Sequence, residues 1–260
     1  MKINKVIPNK VLDIEIRSEK IIDFAYLSIR QIMRKKERFY DGGYSTRMGE
    51  WFPPKIISDK YKFIYVVNPV TGTRSVLKNL YKNPKHEYET SFRRVKRGNI
   101  KEWDEYTVFT TIRNPFSRLV SAWRKQVLNA STVRKIGLIC QYDNIHPRME
   151  FKDFVREVCG GAMDSHWAPQ SELLREEGRN IDIDKYVKTE NISEGYKEVC
   201  NKTGLPYSGL PHSASSKELP KKGYYKKYEK YYEKVDSIIV KQLKHIYHED
   251  ISRFGYSIDV

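Results

Sequence analysis

No stretch of this chain approaches the ~20 consecutive apolar residues that a membrane span needs. The amino terminus, "MKINKVIPNKVLDIEIRSEK", has no unbroken hydrophobic core, which argues against a cleaved signal peptide. Cysteine is scarce: Cys140, Cys159 and Cys200 are odd in number and far apart. That pattern excludes a disulfide framework and a zinc site, and it points to a reducing cytoplasm. Without a secretion signal, the Asn-X-Ser/Thr triplets at Asn129, Asn191 and Asn201 read as chance matches. Internal repeats and low-complexity linkers are missing as well. Acidic residues are in deficit, 33 against 48 Lys and Arg, for a net charge of +15. Such a surface attracts polyanions: nucleic acid, acidic lipid, acidic polysaccharide or a multiply charged nucleotide. A lysine-rich solvated surface has the same composition, so charge does not choose among them.

What is present is the pattern of an α/β domain. The 260 residues are 39% hydrophobic and 31% charged, as in a soluble globular protein large enough to bury a full core. Apolar residues from Ile22 to Met33 recur at helical spacing within 18–38, and Gly42-Gly43 ends that stretch. "KFIYVV" (62–67) is a short apolar run of the buried parallel type, followed by a helix over 73–82. Residues 83–103 read as a basic loop. "YTVFTTI" (106–112) is a second strand, and 114–128 a helix with Pro115 in its first turn. A helix over 149–161 closes on two glycines, and 182–189 is a third strand. The helix over 193–206 takes Ser193 as its N-cap and Gly204 after its end. One long helix spans 224–250. Strand and helix alternate, which implies a parallel sheet.

Two of the strand–loop–helix units carry possible anion sites. In the first, the backbone N–H groups of Thr71 to Ser75 point off a helix N-terminus. Gly72 allows close approach and a positive φ, the hydroxyls of Thr71, Thr73 and Ser75 add donors, and Arg74 adds charge. Taken alone, the loop reads equally well as a structural turn. In the second unit, Arg113 ends a strand and faces the crevice where α/β sheets bind ligands. Ser121 follows two turns on, and an arginine beside a hydroxyl suits a terminal phosphate. A salt bridge and simple packing are the alternatives there.

Taken together, the blocks resemble one family. "TIRNPFSRLVSAWR" (111–124) resembles the Arg-x-Pro-(aromatic)-x-Arg-Leu-x-Ser-Ala/Tyr pattern of sulfotransferases. "PVTGTRS" (69–75) fits that family's upstream loop, Pro-Lys-x-Gly-(Ser/Thr)-(Thr/x)-Ser. "HWAPQSELL" (166–174) is similar to the His-Trp-x-Pro-Gln signature of the carbohydrate sulfotransferases. "YVKTENISEGYKEVCNKTGL" (186–205) and "IYHEDISRFGYS" (246–257) are similar to the segments that follow it. The resemblance implies a P-loop-like three-layer α/β sandwich, a central parallel sheet flanked by helices, over 61–260. Residues 1–60 are then an N-terminal helical extension packed on the core. It also implies 3′-phosphoadenylyl sulfate as donor, with adenosine 3′,5′-bisphosphate as product. Arg113 and Ser121 hold the 3′-phosphate, while Thr71, Gly72, Thr73, Arg74 and Ser75 hold the 5′-phosphosulfate.

One departure stands out: the family's loop lysine is Val70 here. Losing one transition-state donor typically costs ~10²–10³ in rate, and Arg74 folded back over the loop is the expected compensation. The acceptor hydroxyl needs a base, for which His86 and Glu87 are the candidates. "HEYET" is not a metalloprotease HExxH, because Thr90 stands in place of the second His. His166 either lines the acceptor site or is a structural histidine. His245 and His248 share a helix face without a third ligand and read as surface residues. Lys221 and Lys222, before Gly223, either reach the 3′-phosphate or begin a lysine-rich helix. Trp51, Trp103 and Trp123 read as packing residues. The expected function is sulfuryl transfer to a carbohydrate, either a surface polysaccharide or its lipid-linked precursor. The expected enzyme is cytoplasmic, makes at most peripheral membrane contact, and uses neither metal nor nucleic acid. A binding homologue that lost turnover with its lysine is a second reading. A basic nucleic-acid-binding protein, suggested by +15 and 19 tyrosines, is a third.

Overall fold

The computed structural model describes residues 53–82, 93–95, 104–176, 178–210, 228–258 and 260, all inside one compact unit, Gly42–Val260. The helix expected over 18–38 and Trp51, Trp103, His86, Glu87, Lys221, Lys222 and Gly223 lie outside the described residues.

The two β-branched, aromatic runs build the middle of the sheet. Strands β2 (Phe63–Val66) and β4 (Thr107–Ile112) are buried along their whole length and pair in parallel. Strand β7 (Lys185–Lys188) joins β4, also in parallel. The parallel centre is therefore as the sequence implies, with two antiparallel strands added at one edge. These are β1 (Lys55–Ser58), paired with β2, and β3 (Arg93–Val95), paired with β1. The order is β3-β1-β2-β4-β7. Strand β1 lies before residue 61, where the domain was expected to start. Pro53-Pro54 and a leading lysine hide it, since proline and charge normally argue against a buried strand. Lys55 is fully buried, and its Nζ stands 2.8 Å from Glu176 Oε1. Glu176 belongs to a small hairpin of β5 (Arg175–Glu176) and β6 (Arg179–Asn180).

Alternation along the strands makes two apolar faces. Phe63, Tyr65, Phe109 and Val187 face a cluster with Val76 and Leu80 of α1 (Thr73–Lys82) and Tyr196 and Val199 of α6 (Ile192–Thr203). Ile64, Val66, Val108 and Ile112 face Leu174, Ile181 and Phe254. A third cluster lies among the helices. It joins α2 (Pro115–Trp123), α4 (Phe151–Cys159) and α8 (Ser237–Ile246) around Trp167. Trp123 is buried there, edge-on to Phe151, with its Nε1–H donating to Met149 O.

Several helix boundaries differ from the sequence reading. The long helix expected over 224–250 is three helices: α7 (Glu229–Tyr232), α8, and α9 (His248–Phe254). Asp236 starts α8 by accepting from Ile238 N–H at 2.8 Å, and Tyr247 ends it. His245 and His248 thus sit on separate helices and share no face. In α6 the N-cap is Asn191, and Ser193 lies inside the first turn, while Gly204 ends the helix at φ +71° as expected. Helix α2 starts on the Asn114 cap and Pro115, then widens after Trp123 into a π-turn, Arg124–Leu128. Helix α3 (Thr132–Gln141), capped by Ser131, and the four-residue α5 (Gln170–Leu173) complete the set. Among the described residues, no helix is long and apolar enough to cross a membrane.

Candidate active site

The carboxyl ends of β2, β4 and β7 open on one edge because the three strands run the same way. Thr189, just after β7, ties them together. Its buried hydroxyl lies 2.7 Å from Thr71 O and 2.8 Å from Ile112 O. Glu190 adds a second tie, with Oε1 accepting from Asn114 N–H at 2.9 Å.

The loop after β2 is held in an uncommon backbone shape. Gly72 has φ +88° and Val70 has φ +65°, and a β-branched residue there is a conformational outlier. A Cβ at position 72 would stand 2.5 Å from Ile192 Cδ1. The hydroxyls of Thr71 and Thr73 both donate inward to Asn68 O, at 2.7 and 2.6 Å. Thr111 and Tyr65 complete this network beneath the loop. Those hydroxyls therefore build the loop, rather than serving as outward donors as expected. Ser75 N–H is also taken, by Gly72 O at 2.8 Å. What faces outward is the start of α1, whose first N–H groups a helix does not bond internally, and the exposed Arg74. Val70 packs against the α2–Trp167 cluster.

Arg113 is nearly buried, at 7% exposure. Its Nε and Nη2 both donate to Ser117 Oγ, at 3.1 and 3.0 Å. The hydroxyl beside this guanidinium is thus Ser117, one turn into α2; Ser121 is one turn further and half-buried. The sequence signal for Ser117 was the i,i+4 spacing from Arg113. A cavity of about 220 Å³ adjoins this pair, lined by Asn114, Ser117, Glu190, Tyr228 and Tyr256 among others.

The signature blocks meet through buried side chains. Gln170 pins the end of β4: Oε1 accepts from Arg113 N–H at 2.9 Å, and Nε2 donates to Arg113 O at 2.7 Å. Asp250 of α9 in turn accepts from Gln170 N–H and Ser171 N–H, at 2.8 and 2.7 Å. Arg118 is fully buried and donates to Pro69 O, Ala168 O and Ser165 O. One face of α2 therefore clamps the loop after β2 to the turn that carries His166.

His166 itself is buried against Asp164. Asp164 Oδ1 lies 2.5 Å from His166 Nδ1 and also accepts the His166 backbone N–H. The other oxygen, Oδ2, receives Arg134 Nη2 at 2.8 Å and Tyr142 Oη at 3.2 Å. Burial alone would raise the Asp164 carboxyl; His166 and Arg134 outweigh it and hold the group well below the usual carboxylate range. Burial pushes the His166 imidazole below its usual value despite the pull of Asp164. Asp164 thereby orients the His166 imidazole through Nδ1. Sequence reading missed Asp164, although it stands only two residues before His166.

Lys125, in the π-turn, also went unread. Burial by surrounding protein and repulsion from Arg74 lower its pKa to about 8, although its side chain is reached by solvent. It is charged at neutral pH and crowded rather than sealed off.

The sequence pattern of the sulfotransferase family matches residues 32–257. Comparison with curated proteins and with solved structures returned no match. The match spans most of the chain and covers the loop after β2, the Arg113 helix and the His166 turn, so this protein belongs to the sulfotransferase family.

Proposed function

We propose that the chain transfers the sulfuryl group of 3′-phosphoadenylyl sulfate to a hydroxyl of a carbohydrate. The observation that carries this reading is one sheet edge with two anion-suited features. Helix α1 starts there beside Arg74, and Arg113 stands at the end of the neighbouring parallel strand. Two such features suit a ligand with phosphate at both its 3′ and 5′ positions. In the reaction, the acceptor oxygen bonds to sulfur as the bond from sulfur to the bridging phosphate oxygen breaks. The bonding pair stays on that oxygen, and the acceptor proton passes to a base, for which His86 and Glu87 are proposed. Positioning and charge neutralisation dominate such a transfer, and arginine with backbone N–H supplies the positive charge without a metal. The acceptor proposed is a surface polysaccharide or its lipid-linked precursor, modified in the cytoplasm.

Calorimetric titration with adenosine 3′,5′-bisphosphate, paired with an assay of donor consumption on a glycan panel, tests this. Saturable binding and glycan-dependent donor consumption are expected. Binding without transfer to any glycan supports instead a nucleotide-binding homologue, a reading that apolar Val70 favours. Replacing Arg74 with Ala is expected to slow transfer; an unchanged rate removes Arg74 from the site.

A further inference from the structure

Breaking the sulfur–oxygen bond puts a new negative charge on the 5′-phosphate, and that charge needs a cation close by. On the loop after β2 only Arg74 is charged, since Val70 turns into the apolar cluster. Helix α2 offers a second cation. Its Arg118 face touches the loop at Pro69 and the His166 turn at Ser165 and Ala168. Ser121 and Lys125 follow Arg118 at i+3 and i+7, which keeps them on that face. The π-turn begins at Arg124, where Asn129 N–H closes on Arg124 O at 2.8 Å. Such turns add a residue to a helix and recur at functional sites. Lys125 lies within electrostatic range of both Arg74 and His166. Among the described residues, neither Arg74 nor Lys125 has a hydrogen bond or an ion pair. Two cations within range of each other repel, and an anion between them removes that cost.

We propose that Lys125, reaching across from the π-turn of α2, is a catalytic residue that neutralises the sulfuryl and bridging oxygens alongside Arg74. The assignment rests on the sulfuryl-transfer reading and extends it to a residue outside the loop. Lys125 keeps its proton throughout. The charge it meets is the electron pair left on the bridging oxygen, and the acceptor proton goes to the separate base.

The test uses the full chain, 3′-phosphoadenylyl sulfate as donor and adenosine 3′,5′-bisphosphate as binding probe. Lys125→Ala is expected to lower kcat for donor consumption on the order of 10²-fold, with bisphosphate affinity falling less than about tenfold. Lys125→Arg is expected to retain most of the rate. Lys241→Ala, exposed on α8, is the control and leaves kcat unchanged. A Lys125→Ala enzyme with wild-type kcat overturns the proposal. So does a loss that Lys125→Arg does not relieve and that tracks a fall in Tm, which marks a structural role. If the wild type binds bisphosphate while Lys125→Ala is silent, only the lysine assignment falls. If the wild type neither binds bisphosphate nor consumes donor, the sulfuryl-transfer reading falls first and Lys125 with it.

Discussion

Arg118 carries its charge fully buried, with no carboxylate among its hydrogen-bond partners. Three backbone carbonyls satisfy the guanidinium instead, and desolvation lowers its pKa only to about 10, so it stays charged at neutral pH. Arg118→Met leaves those carbonyls buried and unpaired, each costing about 1–3 kcal/mol. A loss on the order of 3–5 kcal/mol in urea unfolding is expected. Arg118→Lys is expected to recover little of it, since one ammonium lacks the fork that reaches three acceptors. The Arg113–Ser117 pair makes a different prediction. If Arg113 meets the 3′-phosphate as proposed, Arg113→Ala leaves that phosphate without its cation and should weaken adenosine 3′,5′-bisphosphate binding by about 10²-fold. Ser117→Ala leaves the charge but loosens its rotamer, so a loss of about tenfold or less is expected. Calorimetry on both variants checks the order; a larger effect at Ser117 than at Arg113 contradicts this geometry.

The loop between β2 and α1 illustrates what an element requires of its residues. Gly72 is there for two reasons, φ +88° and the Ile192 methyl 2.5 Å from any added Cβ. Gly72→Ala is expected to cost about 1–3 kcal/mol in backbone strain, with a further steric share. Ile192→Val removes the offending Cδ1, so the double variant should recover the steric share and keep the strain. Urea titrations of the two single variants and the double check this; full recovery in the double means that strain contributes nothing. Glycine at 72 was legible, since a close approach or positive φ was its expected use. The roles of Thr71 and Thr73 were not, because an inward hydroxyl and an outward one have the same sequence. Only Asn68 O, brought beneath the loop, decides between them.

Across the whole molecule, acid is expected to act through the Asp164–His166 pair. The His166 pKa in the fold lies below its ordinary 6.5, so the unfolded chain binds more protons there. Stability then falls as pH drops below about 6.5. Asp164 is depressed from 3.8, so its share is present above that value and is lost as pH falls further. The two act in successive windows: wild-type Tm should decline from pH 7 toward pH 4 through His166, and further below about pH 4 through Asp164. His166→Gln is expected to flatten the upper part of that decline; an unchanged slope removes His166 from the account.

The sequence by itself determined the alternation of strands and helices, the parallel centre and the Arg113 helix with its Asn-Pro start. Those features rest on local chemistry: β-branched runs, caps, prolines and glycines act within a few residues. The edge strand β1 escaped that reading, because its buried Lys55 is paired with Glu176, 121 positions away. The division of the last helix was local but subtle, turning on the Asp236 cap. Tertiary structure alone decided which side chains meet at the sheet edge. Gln170 and Asp250 lock β4, and Arg118 ties the loop after β2 to the His166 turn, through contacts between distant segments. Such pairings depend on where the chain packs, and a one-dimensional pattern holds no distance between elements that only burial brings together.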